Sequence, residues 1–294
     1  MSYMKFKGIM PAIVTPLNAD ETINTQALDK LISYLLSKNA DGFYVGGATG
    51  EGIALKTENR AVLAEASVKA AGDKPCIVQV AAADFSDAIY LAKQAESVGA
   101  AAISATAPLF FSYDSDDIYN YYKALANAVH IPLMIYYNPA AGFNMNATFA
   151  AKAFEIDNVT AIKWTSSNYY EMMRLKDLTH GEMNIINGPD EMLLMGLTAG
   201  ADGGIGTNYN ILMDYIRPIY DHFVAGELDK AREAQYIANR IITVMMGTKI
   251  IPAVKVVLED MGFEVGNATF PMKRYTKEQA DEIIAAVKKA GFQY

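Results

Sequence analysis

A lysine inside an otherwise apolar run is the first place to look for chemistry in this chain. Lys163 stands in Val159-Thr-Ala-Ile-Lys-Trp164, where its ammonium would face a crowded, poorly hydrated interior. Burial disfavours the charged form, and the free amine so released can attack a carbonyl carbon. The same burial suits a structural lysine held in an ion pair, so the run alone leaves both readings open. A second candidate is Tyr136-Tyr-Asn-Pro139. A phenol beside a Schiff-base amine could carry protons to and from the carbinolamine and the departing carbonyl oxygen. Successive strand residues face opposite sides, so only one of Tyr136 and Tyr137 can point toward Lys163. The third is Gly46-Gly-Ala-Thr-Gly-Glu51, because glycines allow close backbone approach and consecutive N–H groups in such a turn can hold a carboxylate. Asn187-Gly-Pro-Asp-Glu191 and Gly206-Thr-Asn-Tyr209 offer acceptors and hydroxyls suited to a polyol, although Asp190 is equally suited to capping a helix.

These residues need a scaffold, and the chain supplies eight short apolar runs, each followed by a helical pattern. The runs are 8–15, 42–46, 76–80, 101–106, 133–137, 159–164, 183–187 and 202–206. The helices are expected near 25–38, 57–71, 86–98, 115–129, 147–155, 169–179, 190–199 and 211–225, with Thr25, Thr57 and Asn146 among the candidate caps. Nearly continuous apolar strands are those of a parallel sheet covered by helices. Eight strand-then-helix units imply an α/β fold, a (β/α)8 TIM barrel whose active site lies at the C-terminal ends of the strands. The main rival, a doubly wound open sheet, lacks its GxGxxG after the first strand. Beyond residue 225 only helical patterns follow, near 227–246, 252–261 and 277–290, the last opened by the capping box Thr276-Lys-Glu-Gln279. The expected organisation is a barrel over 1–225 with a C-terminal helical appendage over 226–294, packed as one structural unit.

Composition narrows the partners. With 25 basic and 33 acidic residues, a formal charge of -8, the field repels nucleic acid and anionic membranes. One local cation and a turn of N–H groups can still hold a small anion. Cys76, the sole cysteine, reads as a small buried hydrophobe. His130, His180 and His222 are scattered, and no metal site is expected. The N-terminus lacks the apolar stretch of a signal peptide, and no segment approaches about 18 uninterrupted apolar residues. A soluble, cytoplasmic protein is expected.

Taken together, from about residue 8 to 290, these features resemble the pyruvate-dependent class I aldolases of the dihydrodipicolinate synthase and N-acetylneuraminate lyase superfamily. The resemblance is carried by Ile162-Lys-Trp-Thr-Ser166, Gly188-Pro-Asp-Glu191 and Gly203-Gly-Ile-Gly-Thr-Asn-Tyr-Asn210, which are similar to the lysine segment, sugar-binding turn and glycine-rich loop of the sialic-acid-cleaving branch. It implies a Schiff base on Lys163, proton transfer by Tyr136, and a pyruvyl carboxylate in the turn of Ala48 and Thr49. Tyr136 is chosen because the family tyrosine stands four residues after a strand-opening proline, here Pro132, and begins a Tyr-x-x-Pro completed by Pro139. Thr165, Gly188, Asp190, Glu191, Gly206 and Thr207 would bind the hydroxylated tail. The implied reaction splits N-acetylneuraminate into pyruvate and N-acetylmannosamine, in a homotetramer, with no cofactor. The alternatives are another 2-keto-3-deoxy sugar acid aldolase, or a keto-acid-binding barrel without catalysis. Two departures bear on this choice: Ala48 stands where relatives carry a hydroxyl, and Phe110 and Phe111 stand where they carry a tyrosine. The synthase's arginine after Tyr-x-x-Pro is also missing from Pro139-Ala-Ala-Gly-Phe143, which argues against that activity.

Overall fold

The computed structural model describes residues 4–294; residues 1–3, on which the N-terminal reading begins, lie outside it. Its eight strands are β1 (Gly8–Pro11), β2 (Phe43–Val45), β3 (Cys76–Gln79), β4 (Ala102–Ala105), β5 (Leu133–Tyr137), β6 (Val159–Trp164), β7 (Asn184–Asn187) and β8 (Gly203–Gly206). All pair in parallel in the order β1-β8-β7-β6-β5-β4-β3-β2. A single bridge between Ala12 and Tyr44 joins β1 to β2, with the Ile13 N–H donating to the Tyr44 carbonyl at 2.9 Å. The sheet is therefore a nearly closed barrel, the expected TIM architecture. The first strand is shorter than its apolar run because the chain leaves the ladder after that bridge.

Helices α1 (Thr25–Ser37), α2 (Thr57–Ala71), α3 (Phe85–Ser97), α4 (Ser115–Asn127), α5 (Ala147–Phe154), α6 (Tyr169–Leu178), α7 (Leu193–Thr198) and α8 (Tyr209–Val224) follow the strands in turn. The amphipathic face of α1, for example, buries Leu28, Leu31, Ile32 and Leu35 against the barrel wall. Two of the expected caps are displaced. The side chain of Asn24, rather than Thr25, accepts from the Ala27 N–H, and Thr57 donates to Asp87 instead of capping α2. Asn146 does cap α5, accepting from the Phe149 N–H.

The core has two layers. The larger fills the space between strands and helices, whereas a smaller one inside the barrel is built from residues such as Met10, Tyr44, Met134, Tyr136, Ala161 and Ile205. Cys76 is buried and unpaired, and burial pushes its thiol up to about 12. After β8 come α9 (Leu228–Met246), α10 (Ile250–Asp260) and α11 (Lys277–Lys289), the last with the expected Thr276–Gln279 capping box. Helix α9 packs along α8, while α10 touches both. Among the described residues, no single helix is long and apolar enough to cross a membrane.

An ion pair ties the C-terminal helices to the mouth of the barrel. Lys255 of α10 lies 2.7 Å from Glu51, with both side chains fully enclosed, and Glu51 also accepts from the Thr269 N–H at 2.6 Å. Removing one member of such a pair leaves the other charge buried alone. Lys255→Met should therefore lower unfolding stability by about 3 kcal/mol in denaturant melts, and adding Glu51→Gln should recover much of the loss. Equal stability of the single and double variants would show that the pair does not contribute in this way.

Candidate active site

Parity along β6 decides where Lys163 points. Ala161 belongs to the interior layer, and two residues on, the Lys163 side chain faces the same way into the barrel. It is only 5% exposed, at the C-terminal end of the strand. Tyr136 is its register partner on β5 and also faces inward. Lys163 Nζ stands 4.3 Å from the centroid of the Tyr136 ring and 4.6 Å from that of Tyr44, and these two rings meet edge to face at 5.8 Å. Two aromatic faces thus lie against one cation. Among the described residues no carboxylate lies within ion-pair distance of Nζ, so the buried-ion-pair reading of this lysine finds no partner. Tyr137 points outward, packing on Trp164 and donating to Asn144 Oδ1 at 2.9 Å.

The loops above the strands surround this end of the barrel. Thr49 is buried, and its hydroxyl lies 2.7 Å from that of Thr207, bridging the turn after β2 to the loop after β8. Ala48 lies exposed beside it. Asp190 begins a short 3-10 turn, Asp190–Met192, so the helix expected from 190 starts three residues later as α7. Its carboxylate does not cap that helix. Oδ2 accepts instead from the backbone and side-chain N–H groups of Asn208, at 2.7 and 2.8 Å. Burial pushes the Asp190 carboxyl up to about 6, against the pull of the two Asn208 donors; neighbouring Glu191 raises it further and Lys163 opposes.

Two glycines are required by these close approaches. A Cβ at Gly188 would collide with the Thr165 side chain, and one at Gly206 with the Asp190 carboxylate. Thr165 Oγ1 and Asn208 Oδ1 are buried without a hydrogen-bond partner among the described residues. Chemically, the arrangement offers an amine between two aromatic rings, hydroxyls at the mouth, and an acidic turn after the neighbouring strand β7.

A family model described as the dihydrodipicolinate synthetase family matches residues 5–290. The chain belongs to that family. It is accordingly a carbon–carbon lyase of the pyruvate-dependent aldolase class. It is 32% identical over 288 residues to the N-acetylneuraminate lyase of Rhizobium meliloti, covering 98% of this chain and 95% of the relative. It is 31% identical to the N-acetylneuraminate lyase of Clostridium perfringens strain 13, with 98% and 99% covered. The solved N-acetylneuraminate lyase of Aliivibrio salmonicida superposes with a TM-score of 0.94 at 27% identity, covering 99% of both chains.

In this family member the structure also brings in residues that the sequence patterns did not single out. Tyr44 is fully buried under Lys163, with its hydroxyl donating to Ser104 at 2.9 Å. Strand parity could have selected it only once the register with β3 was known. Asn208 lay inside a quoted motif without a role. Phe110, by contrast, is 96% exposed at a left-handed backbone position, its ring edge-on to Phe111.

Proposed function

We propose that the chain cleaves N-acetylneuraminate to pyruvate and N-acetylmannosamine through a Schiff base on Lys163. The observation that carries this reading is the inward-facing, carboxylate-free Lys163 against Tyr136, with the Asp190–Glu191 turn on the same rim. The Lys163 amine, as the free base, adds to the C2 keto carbon, and the carbonyl oxygen leaves as water, giving an iminium ion. Removal of the C4 hydroxyl proton then breaks the C3–C4 bond. Its electron pair forms the C2–C3 double bond and the C=N pair moves to nitrogen, leaving a neutral enamine and the free aldehyde. The enamine takes a proton at C3, and water returns pyruvate and Lys163. Tyr136 moves the protons at oxygen, and the turn of Ala48 and Thr49 holds the carboxylate. Thr165, Gly188, Asp190, Glu191, Gly206 and Thr207 receive the polyol.

The same reading takes 1–225 and 226–294 as one unit, and the protein as a cytoplasmic homotetramer. The exposed cluster of Phe110, Phe111 and Tyr113 supports association with further copies, and the lone buried Cys76 thiol suits a reducing compartment. The alternative, a related 2-keto-3-deoxy sugar acid as substrate, is favoured by Ala48, which brings no hydroxyl to the mouth. Pyruvate release measured with N-acetylneuraminate and with shorter 2-keto-3-deoxy sugar acids separates the two. Release from the shorter acids alone would overturn the first reading.

A pH prediction follows from Asp190. Its carboxyl is held near 6, so below that pH it gains a proton, one oxygen turns donor, and the negative charge that strengthens bonds from substrate hydroxyls is lost. The KM for the sugar acid should rise as pH falls through 6, approaching tenfold per unit. Stability has the opposite sign: the folded-state value lies above the unfolded one, so this group's contribution grows as pH falls toward 4. An Asp190→Asn variant whose KM keeps the same pH limb would assign the limb to another group.

A further inference from the structure

We infer that Gln235 and Asn239, one helical turn apart on α9, are positioning residues that fix the sugar-recognition turn from behind. The C-terminal helices are thereby part of the specificity machinery rather than a passive cover. This rests on the sugar-acid reading above. Gln235 is buried, and both its amide N–H groups and its carbonyl oxygen are engaged at this turn and its neighbour. Its Nε2 donates to the Asp190 carbonyl at 3.3 Å and to Asn239 Oδ1 at 2.9 Å, while its Oε1 accepts from the Leu194 N–H at 3.0 Å. Asn239 Nδ2 in turn donates to the Glu191 carbonyl at 3.0 Å.

The two carbonyls so engaged belong to Asp190 and Glu191, the two residues whose carboxylates the sugar-acid reading sets against the polyol. The Leu194 N–H is one of the donors that the first turn of α7 leaves without an intrahelical partner. The amide pair therefore holds both ends of the Asp190–Met192 turn. On the other side the Asp190 carboxylate is fixed by Asn208, so the turn is gripped from two directions. A peptide plane free to rotate at Asp190 or Glu191 would swing the attached carboxylate away from its hydroxyl partners, and placement of about an ångström matters for such contacts. Lys163, Tyr136 and the Thr49 turn receive no bond from α9, so the pyruvate end is held independently.

The consequence is a split between the two halves of the reaction. In the full-length protein, Gln235→Met keeps the length and burial of the side chain but strands the Leu194 N–H and takes from the Asp190 carbonyl one of its two donors, leaving it the Leu193 N–H alone. It should raise the KM for N-acetylneuraminate about tenfold with kcat changed less than about threefold, while exchange of pyruvate methyl protons into heavy water stays within about twofold of wild type. Asn239→Ser, at a partly exposed position, removes the bond to the Glu191 carbonyl and the Oδ1 acceptor of Gln235, and should raise KM about threefold. If Gln235→Met does not fold, the Asn239→Ser measurement decides alone. Unchanged KM in the folded variants, or pyruvate exchange falling in proportion to cleavage, would overturn the inference. Wild-type protein that exchanges pyruvate protons but leaves N-acetylneuraminate intact would instead sink the substrate reading, and the split would then be read on the sugar acid it does cleave.

Discussion

Replacing Lys163 by Met is expected to remove sugar-acid cleavage, on the order of 10^5-fold in kcat, as for the loss of other covalent nucleophiles. Borohydride reduction in the presence of pyruvate should attach an adduct to wild-type Lys163 and none to the variant, as read by peptide mass. The substitution has a second, opposite effect. The ammonium is almost fully buried, and no carboxylate among the described residues pairs with it; only the faces of Tyr44 and Tyr136 partner it. Their attraction offsets part of the desolvation cost of a buried charge, and only part. Met fills nearly the same volume without that cost, so Lys163→Met should unfold at an equal or higher temperature than wild type. A residue kept for catalysis at the expense of stability behaves in this way. Loss of activity accompanied by a lower melting temperature, with wild-type Lys163 left unmodified by pyruvate and borohydride, would return the lysine to a structural role.

The barrel was readable because its signals are local. Apolar runs ending in Gly, Pro or Asn, followed by patterns such as that of α1, specify strands and helices without reference to distant residues. Lys163 was legible for the same reason: a charge in an apolar run is conspicuous at once. Less accessible was anything decided by a partner far along the chain. Tyr44 looks like packing until its register with β3 turns it toward Lys163. Glu51 appeared as the end of a glycine turn, yet its role is set by Lys255 on α10. The helix beginning expected at Asp190 shifted because Asn208, on the next loop, draws the carboxylate away from the cap position. The amides of Gln235 and Asn239 carry no sequence signal, because an i, i+4 pair of polar residues on a half-exposed helix ordinarily faces water.

Tyr136→Phe should lower cleavage by about 10^3-fold, the middle of the range for a positioned proton-transfer group, which corresponds to about 4 kcal/mol in the barrier. The ring is retained, so its contact with Lys163 and its edge-to-face packing on Tyr44 survive. Pyruvate should therefore still be trapped by borohydride after long incubation, at a rate reduced with that of cleavage. Tyr137→Phe supplies the control from the adjacent position. Its hydroxyl bonds Asn144 on the outer face of the strand, so its loss should cost about 1 kcal/mol in stability and change kcat less than threefold. The contrast depends only on the pleat of β5, which sends consecutive side chains to opposite faces. Ala48 brings no side-chain hydroxyl to the turn after β2. Similar losses at 136 and 137 would mean that proton transfer runs through neither phenol, and that water or the substrate's own hydroxyls carry it.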